Sequence, residues 1–187
     1  LTIARLVERK GIDSVLRALG AVRRTVPNVC YVVAGDGPER ERLGALAREL
    51  ELDDNVRFVG PVTDAELPLW YALADVFVMP SRSEPPDVEG FGIVFLEASA
   101  CERPVVAARA GGVPDAVADG ISGFLVTPGD TGELAAKLSE LLLDPPRAAE
   151  LGRRGRQRVL AELNWDAVTE RTLQALAGAN APARQDM

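Results

Sequence analysis

The sequence contains no histidine. A Ser-His-Asp triad, a histidine general base and a histidine-rich metal site are therefore excluded within this chain. Any chemistry falls to carboxylates, Arg, Lys, hydroxyls and backbone groups. Only two cysteines occur, Cys30 and Cys101, both in apolar surroundings. Two thiols make neither a disulfide framework nor a zinc site; they fit a reducing compartment, and a cytoplasmic location is the expectation. Lysine is scarce: of 21 basic residues only Lys10 and Lys137 are Lys. No apolar run reaches the ~20 residues of a membrane span, and no secretory leader pattern opens the chain. Neither a Walker A pattern nor G-x-G-x-x-G occurs, which argues against a P-loop or NAD-binding enzyme. The formal net charge of −7 lacks the basic footprint of a nucleic-acid or anionic-membrane binder, so no nucleic-acid partner is expected.

What is present suits one globular domain, 187 residues with 47% hydrophobic and 26% charged. Its charge is unevenly spread. Residues 1–26 carry six basic side chains against Glu8 and Asp13, whereas residues 84–97 carry Glu84, Asp87, Glu89 and Glu97 and no base. These are either two solvated loops or two sides of one site for a ligand with both phosphates and hydroxyls.

Short apolar runs alternate with helical periodicity. Strands are expected at Leu1–Arg5, Val29–Ala34, Val56–Val59, Val76–Met79, Pro104–Ala108 and Gly123–Val126. Helices are expected at Ile12–Val26, from Pro38 as first helical residue to Leu50, from an Asp64 cap to Ala74, at Gly92–Cys101, at Val113–Ala118, at Thr131–Leu143, at Arg147–Leu163 and at Trp165–Ala177. Residues 92–101 are apolar almost all round and read as a buried helix. The last ten residues, from Gly178, read as a frayed tail. Strand–helix alternation with continuous apolar strands marks an α/β fold, a Rossmann-like doubly wound parallel sheet of about six strands covered on both faces. Such sheets bind ligands beyond the carboxyl ends of their strands, so the loops at 5–11, 35–38, 60–64, 80–92 and 109–113 are the ones to examine.

Loop 5–11 (RLVERKG) places cations at a strand-to-helix turn. It is either a solvated turn or a site for phosphate oxygens. Gly35-Asp36-Gly37-Pro38 carries the same two readings. In PSRSEPPDVEGFGIVFLE, residues 80–97, Glu89 sits in the loop and Glu97 lies on the apolar helix. A carboxylate there needs a partner. That partner is either an Arg or the vicinal hydroxyls of a ribose, which can donate two hydrogen bonds to one carboxylate. Gly90-Phe91-Gly92 frees backbone N–H groups at the helix start.

The ordered set A-R-L-V-x-x-K-G-I-D, G-D-G-P, V-R-F-V-G-P-V, A-D-V-F-V-M-P-S, E-G-F-G-I-V-F-L-E-A, P-V-V-A, G-G-V-P-D and D-G-x-x-G-F-L-V, closed by Trp165, resembles one family across Leu1 to about Leu176. The chain is similar to the C-terminal, donor-binding half of a GT-B glycosyltransferase of the retaining family 4 kind. The resemblance implies that Arg5 and Lys10 clamp a nucleotide diphosphate and stabilise the leaving group. It implies that Glu97 holds the ribose, and that Glu89 lies near the hydroxyls of the transferred sugar. The Phe91-Gly92-Ile93 backbone would meet the sugar and distal phosphate, and the wall of the base pocket would run through Gly60 to Val62. The donor would be a nucleotide-sugar of the GDP-mannose or UDP-glucose/UDP-GlcNAc class. No metal and no cofactor are implied, since Arg and Lys take the metal's place. The acceptor, a glycan, lipid or small molecule, would be bound by an N-terminal domain ahead of Leu1, through which alone any peripheral membrane contact would arise. Residues 1–163 would form the donor-binding domain. Helix 164–177 would pack toward the N-terminal domain, and the chain alone would not catalyse transfer. A nucleotide- or sugar-binding module without transfer activity is the alternative. Three positions depart from the family pattern. Ala4 stands where Gly commonly precedes the Arg, Glu102 stands where Gly commonly ends the helix, and Glu84–Val88 lengthens the donor loop.

Overall fold

The computed structural model describes residues 1–83 and 89–179. Six parallel strands form two three-stranded sheets: β1 (Thr2–Ile3), β2 (Tyr31–Ala34) and β3 (Val56–Gly60) in the order β1-β2-β3, and β4 (Phe77–Met79), β5 (Val105–Ala108) and β6 (Gly123–Val126) in the order β4-β5-β6. The sheets abut along β1 and β4. The Val78 N–H donates to the Leu1 carbonyl at 2.9 Å, the Leu1 ammonium donates to the Val76 carbonyl at 3.0 Å, and the Thr2 hydroxyl donates to the Val78 carbonyl. The combined strand order is 3-2-1-4-5-6, and the direction of winding reverses between β1 and β4. Such a reversal opens a crevice at the carboxyl ends of the two central strands.

Alternation along the strands feeds two cores. Val78, Val106 and Ala108 face one side, under α1 (Ile12–Thr25), α2 (Arg40–Glu49), α6 (Thr131–Leu143) and α7 (Pro145–Glu162). Phe77, Met79, Val105 and Ala107 face the other, under α3 (Leu67–Leu73), α4 (Ile93–Ala100) and α5 (Val113–Ala116). Helix α1 buries Val15, Leu16, Leu19 and Val22, and each such side chain contributes about 1.5–3 kcal/mol when fully buried. Helix α8 (Trp165–Ala179) packs against α7 and leaves Trp165, Leu173 and Leu176 exposed. It runs past the expected boundary at 177; the rest of the expected tail, 180–187, lies outside the described residues.

Three local expectations change. Pro38 does not open α2, which starts at Arg40 with Glu39 as its N-cap. The preceding turn is drawn instead onto Leu6, whose carbonyl accepts from Glu39 N–H at 3.1 Å. Asp64 does not cap α3. Glu66 holds that position, and its carboxylate takes the Thr63 amide at 2.8 Å and the Thr63 hydroxyl at 2.7 Å. Helix α4 is not buried all round: Phe95, Ala98 and Ser99 are inside, and Ile93 is 60% exposed. Glu102, in place of the usual Gly, makes the cap after α4 by adopting the left-handed conformation itself, at φ 59°. Its N–H bonds the Ser99 carbonyl at 2.9 Å, and the Arg103 N–H bonds Ala98 at 2.9 Å.

Candidate functional site: a charged crevice at the strand reversal

The loop after β1 enters a single 3-10 turn at Glu8–Lys10 and then Gly11, left-handed at φ 69°. A Cβ on Gly11 would stand 2.1 Å from the Pro80 carbonyl oxygen, so only glycine permits the turn to lie against the segment after β4. A second tie joins the same segments, Arg82 N–H to the Arg9 carbonyl at 2.7 Å. Backbone contact between these segments therefore brings Arg9 and Lys10 to Glu89, about 80 residues away in sequence.

Glu89 is buried, and three donors converge on its Oε2: Lys10 Nζ at 2.5 Å, Arg9 Nη1 at 2.9 Å and Ser81 Oγ at 3.3 Å. Burial works to raise its pKa. The bonds and charges of Lys10 and Arg9, with Ser81, outweigh that, and the group titrates below the usual carboxylate range. The basic loop and the acidic loop thus meet each other at Glu89; Glu84 and Asp87 lie outside the described residues. Glu89 also offers its carbonyl to Gly112 N–H at 3.1 Å. A Cβ on Gly112 would sit 1.8 Å from the Gly90 carbonyl oxygen, which locks the glycine-rich turn after β5 onto the segment that carries Glu89.

Beside this cluster a cleft of about 350 Å³ is bordered by Arg5, Asp36, Val62, Leu67, Val94 and Glu97. Arg5 is exposed and has no carboxylate partner among the described residues. Glu97 is half-buried, and the partner required by its place on an apolar helix is Tyr71, not an Arg: the Tyr71 hydroxyl donates to Glu97 Oε2 at 2.7 Å. Burial of Tyr71, with this bond, pushes the phenol well above its ordinary value and keeps it a donor. Gly92 caps α4 at φ 79°, a left-handed turn, so the first N–H groups of the helix point out beyond Ile93. The structure therefore brings Arg5, Val62 and Glu97 to one cleft, Lys10 and Glu89 into a pair, and Phe91-Gly92-Ile93 to the helix start between the two Glu residues. The sequence does not single out Arg9, and it gives Tyr71 no role at the site. The basic count of the opening loop signals Arg9; nothing local signals Tyr71 as a partner of Glu97.

A larger cavity of about 830 Å³, bordered by Leu1, Tyr31, Trp70, Val76 and Pro104, lies at the amino ends of the strands. Parallel sheets bind ligands at the opposite edge, and the convergent charges are there as well. Among the described residues no group of three or more Cys, Asp or Glu side chains is placed to hold a metal ion, and no helix is long and apolar enough to cross a membrane.

A doubly wound sheet with a charged crevice at its strand reversal is the architecture of the C-terminal half of a GT-B glycosyltransferase. The chain belongs to the family of glycosyl transferases group 1, whose pattern it matches over residues 1–158. It is 43% identical over 178 residues to the GDP-mannose-dependent alpha-(1-6)-phosphatidylinositol monomannoside mannosyltransferase of Mycolicibacterium smegmatis, covering 94% of this chain and 47% of that protein. The chain thus spans about half the length of the curated relatives it matches. Among solved structures, Anabaena HepE in complex with UDP-glucose superposes with a TM-score of 0.78 at 30% identity, covering 95% of this chain and 48% of that one. The C-terminal domain of a glycosyl transferase group 1 protein from Francisella tularensis superposes with a TM-score of 0.77 at 28% identity, covering 88% of this chain and 85% of that one.

Proposed function

We infer that this chain is the nucleotide-sugar-binding half of a retaining, metal-independent glycosyltransferase of the family 4 kind. One observation carries the reading: the opening loop meets two later stretches, with Arg5 and Glu97 bordering one cleft and Lys10 paired with Glu89. In the reaction, the bond between the sugar's anomeric carbon and the diphosphate oxygen breaks, and the diphosphate leaves with the electron pair. A new bond forms to an acceptor hydroxyl, whose proton passes to the departing diphosphate oxygen. Arg5 and Lys10 hold the charge that develops on the diphosphate, cations in place of a metal ion. Glu97, held by Tyr71, takes the ribose hydroxyls; Val62 and its neighbours form the wall beside the base. The N–H groups at Phe91-Gly92-Ile93 receive the distal phosphate and sugar, and Glu89 receives the sugar's hydroxyls.

The donor is a nucleoside diphosphate hexose of the GDP-mannose or UDP-glucose/UDP-GlcNAc class. The Mycolicibacterium relative's GDP-mannose dependence and the UDP-glucose bound to HepE support that class. The acceptor, a glycan, lipid or small molecule, is bound by an N-terminal domain, and residues 1–187 alone bind donor without transferring it. The full enzyme works in the cytoplasm. Calorimetric titration of GDP-mannose, UDP-glucose and UDP-GlcNAc into the chain tests the reading. At 100 times its Kd the right donor adds about 2.7 kcal/mol of stability. Absence of heat and of any thermal shift with all three would refute it.

A further inference from the structure

Lys10 and Arg9 converge on one oxygen of one buried carboxylate, Glu89 Oε2. The reading of the site given above assigns Lys10 to a diphosphate, and the present inference rests on that assignment. An ammonium drawn toward phosphate gives up part of its bond to Glu89. A buried carboxylate that loses its counter-ion is left uncompensated and is strongly disfavoured. The ligand would meet that penalty unless a second cation stays behind.

Arg9 is already in place on the same oxygen. Its carbonyl is bonded to the Arg82 amide, and the turn that carries it is pressed against Pro80 by Gly11. Ser81, the third donor to Oε2, lies between those two anchoring residues. The guanidinium therefore reaches Glu89 from backbone tied on both sides to the segment that carries Ser81. Lys10 lies on the same turn, and its ammonium, on a flexible stem, can swing from Oε2 toward a phosphate without moving the main chain that carries Arg9. Because all three donors use Oε2, the carboxylate is held in one orientation by partners on a single side.

We propose that Arg9 is a positioning residue that takes over Glu89 when Lys10 engages the diphosphate. It keeps the carboxylate charged and oriented toward the sugar, and it makes Lys10 available to the phosphates. The role is exerted through Glu89, so it disappears when Glu89 has no charge to hold.

A double-mutant cycle with GDP and UDP as probes, read by calorimetry on the chain, tests this. Arg9→Ala should weaken binding of the nucleoside diphosphate about tenfold in the parent background, because Lys10 is then the sole counter-ion of Glu89 and is held back. In the Glu89→Gln background the same substitution should change affinity less than about twofold. Arg9→Lys, which keeps a cation at the turn, should restore most of the parent affinity. If Arg9→Ala perturbs folding, Arg9→Gln keeps a long polar stem and is read in the same cycle. An equal loss in both backgrounds would mean that Arg9 touches the ligand itself. No loss in either would mean that Lys10 is not held by Glu89. Each result overturns the proposal. Lys10→Ala separates this from the functional reading: if it leaves diphosphate affinity unchanged, the assignment of Lys10 has failed and the hand-over falls with it.

Discussion

The Tyr71 hydroxyl and the Glu97 carboxylate are joined at 2.7 Å, although one lies on α3 and the other on α4. The tyrosine ring is fully packed, tilted against Phe77 with centroids 5.6 Å apart. The carboxylate therefore has one oxygen held by a rigid donor and presents the rest of its acceptor capacity at the cleft. Glu97→Ala should weaken nucleotide binding by about 1.5–3 kcal/mol, the range for hydrogen bonds to a charged group. Tyr71→Phe should cost less affinity, about 0.5–1.5 kcal/mol, since it loosens the carboxylate without removing it. Calorimetry with GDP and UDP reads both, and equal affinity in Glu97→Ala and parent would remove Glu97 from the site.

Arg5→Ala and Lys10→Ala should each lower affinity for nucleoside diphosphates far more than for the bare nucleosides. Combined, they should lose less than the sum of the two, because both act on one pyrophosphate. Addition of EDTA should leave the titration unchanged; loss of binding on chelation would reverse the proposed metal independence.

Acidification should unfold the protein partly through Glu89. Its pKa lies below the ordinary value in the folded state, against the pull of burial, because Lys10 and Arg9 hold the charged form. A carboxylate depressed in this way stabilises the fold above its unfolded-state pKa and loses that contribution as pH falls through the folded-state value. Glu89→Gln should thus be less stable than the parent at neutral pH, and the difference should narrow on acidification below the normal carboxylate range. Thermal melts followed by circular dichroism across that range check the sign; a gap that widens in acid would contradict it.

Glu102→Gly should stabilise the fold. Glu102 sits at φ 59°, where an L side chain costs about 1–2 kcal/mol; glycine's extra chain entropy returns part of that, leaving a gain of about 0.5–1 kcal/mol. The exposed pair with Arg156, 3.7 Å apart, adds little to weigh against it. Urea denaturation gives the difference directly.

Much of this was legible in the chain because local signals and tertiary structure agree. The bounds of β6 and α6 follow from an apolar run and from Asp130, whose side chain caps Glu133 N–H at 2.8 Å, as short-range chemistry dictates. Pro38 and Asp64 misled for different reasons. Each is a good local start signal, but Leu6 recruits the first turn from 33 residues away, and at the second Glu66, three residues after Thr63, outcompetes Asp64 within the same short window. The site shows the same division. The carboxylates of residues 89 and 97 and the cations of the opening loop stand out by residue type, yet their partners do not. Glu97 finds Tyr71 through the packing of α3 on α4. Glu89 chooses Arg9 as well as Lys10 because Gly11 lets the turn come down on Pro80. A loop rich in Arg does not reveal which of its side chains faces inward.

The close approaches at Gly11, Gly35, Gly37 and Gly112 also divide the site by how freely it can vary. Each of these glycines has a carbonyl oxygen within 2.4 Å of where a Cβ would be, so none can accept a side chain without moving backbone. Across the cleft, Val62 and Leu67 are half-buried side chains whose size and polarity can change while the main chain stays in place. On the proposed reading of the cleft, selection for a new nucleotide base or sugar would find its room on that wall, and directed libraries should be placed there. The glycine frame would be inherited unchanged, a fixed mould around whichever donor the wall admits.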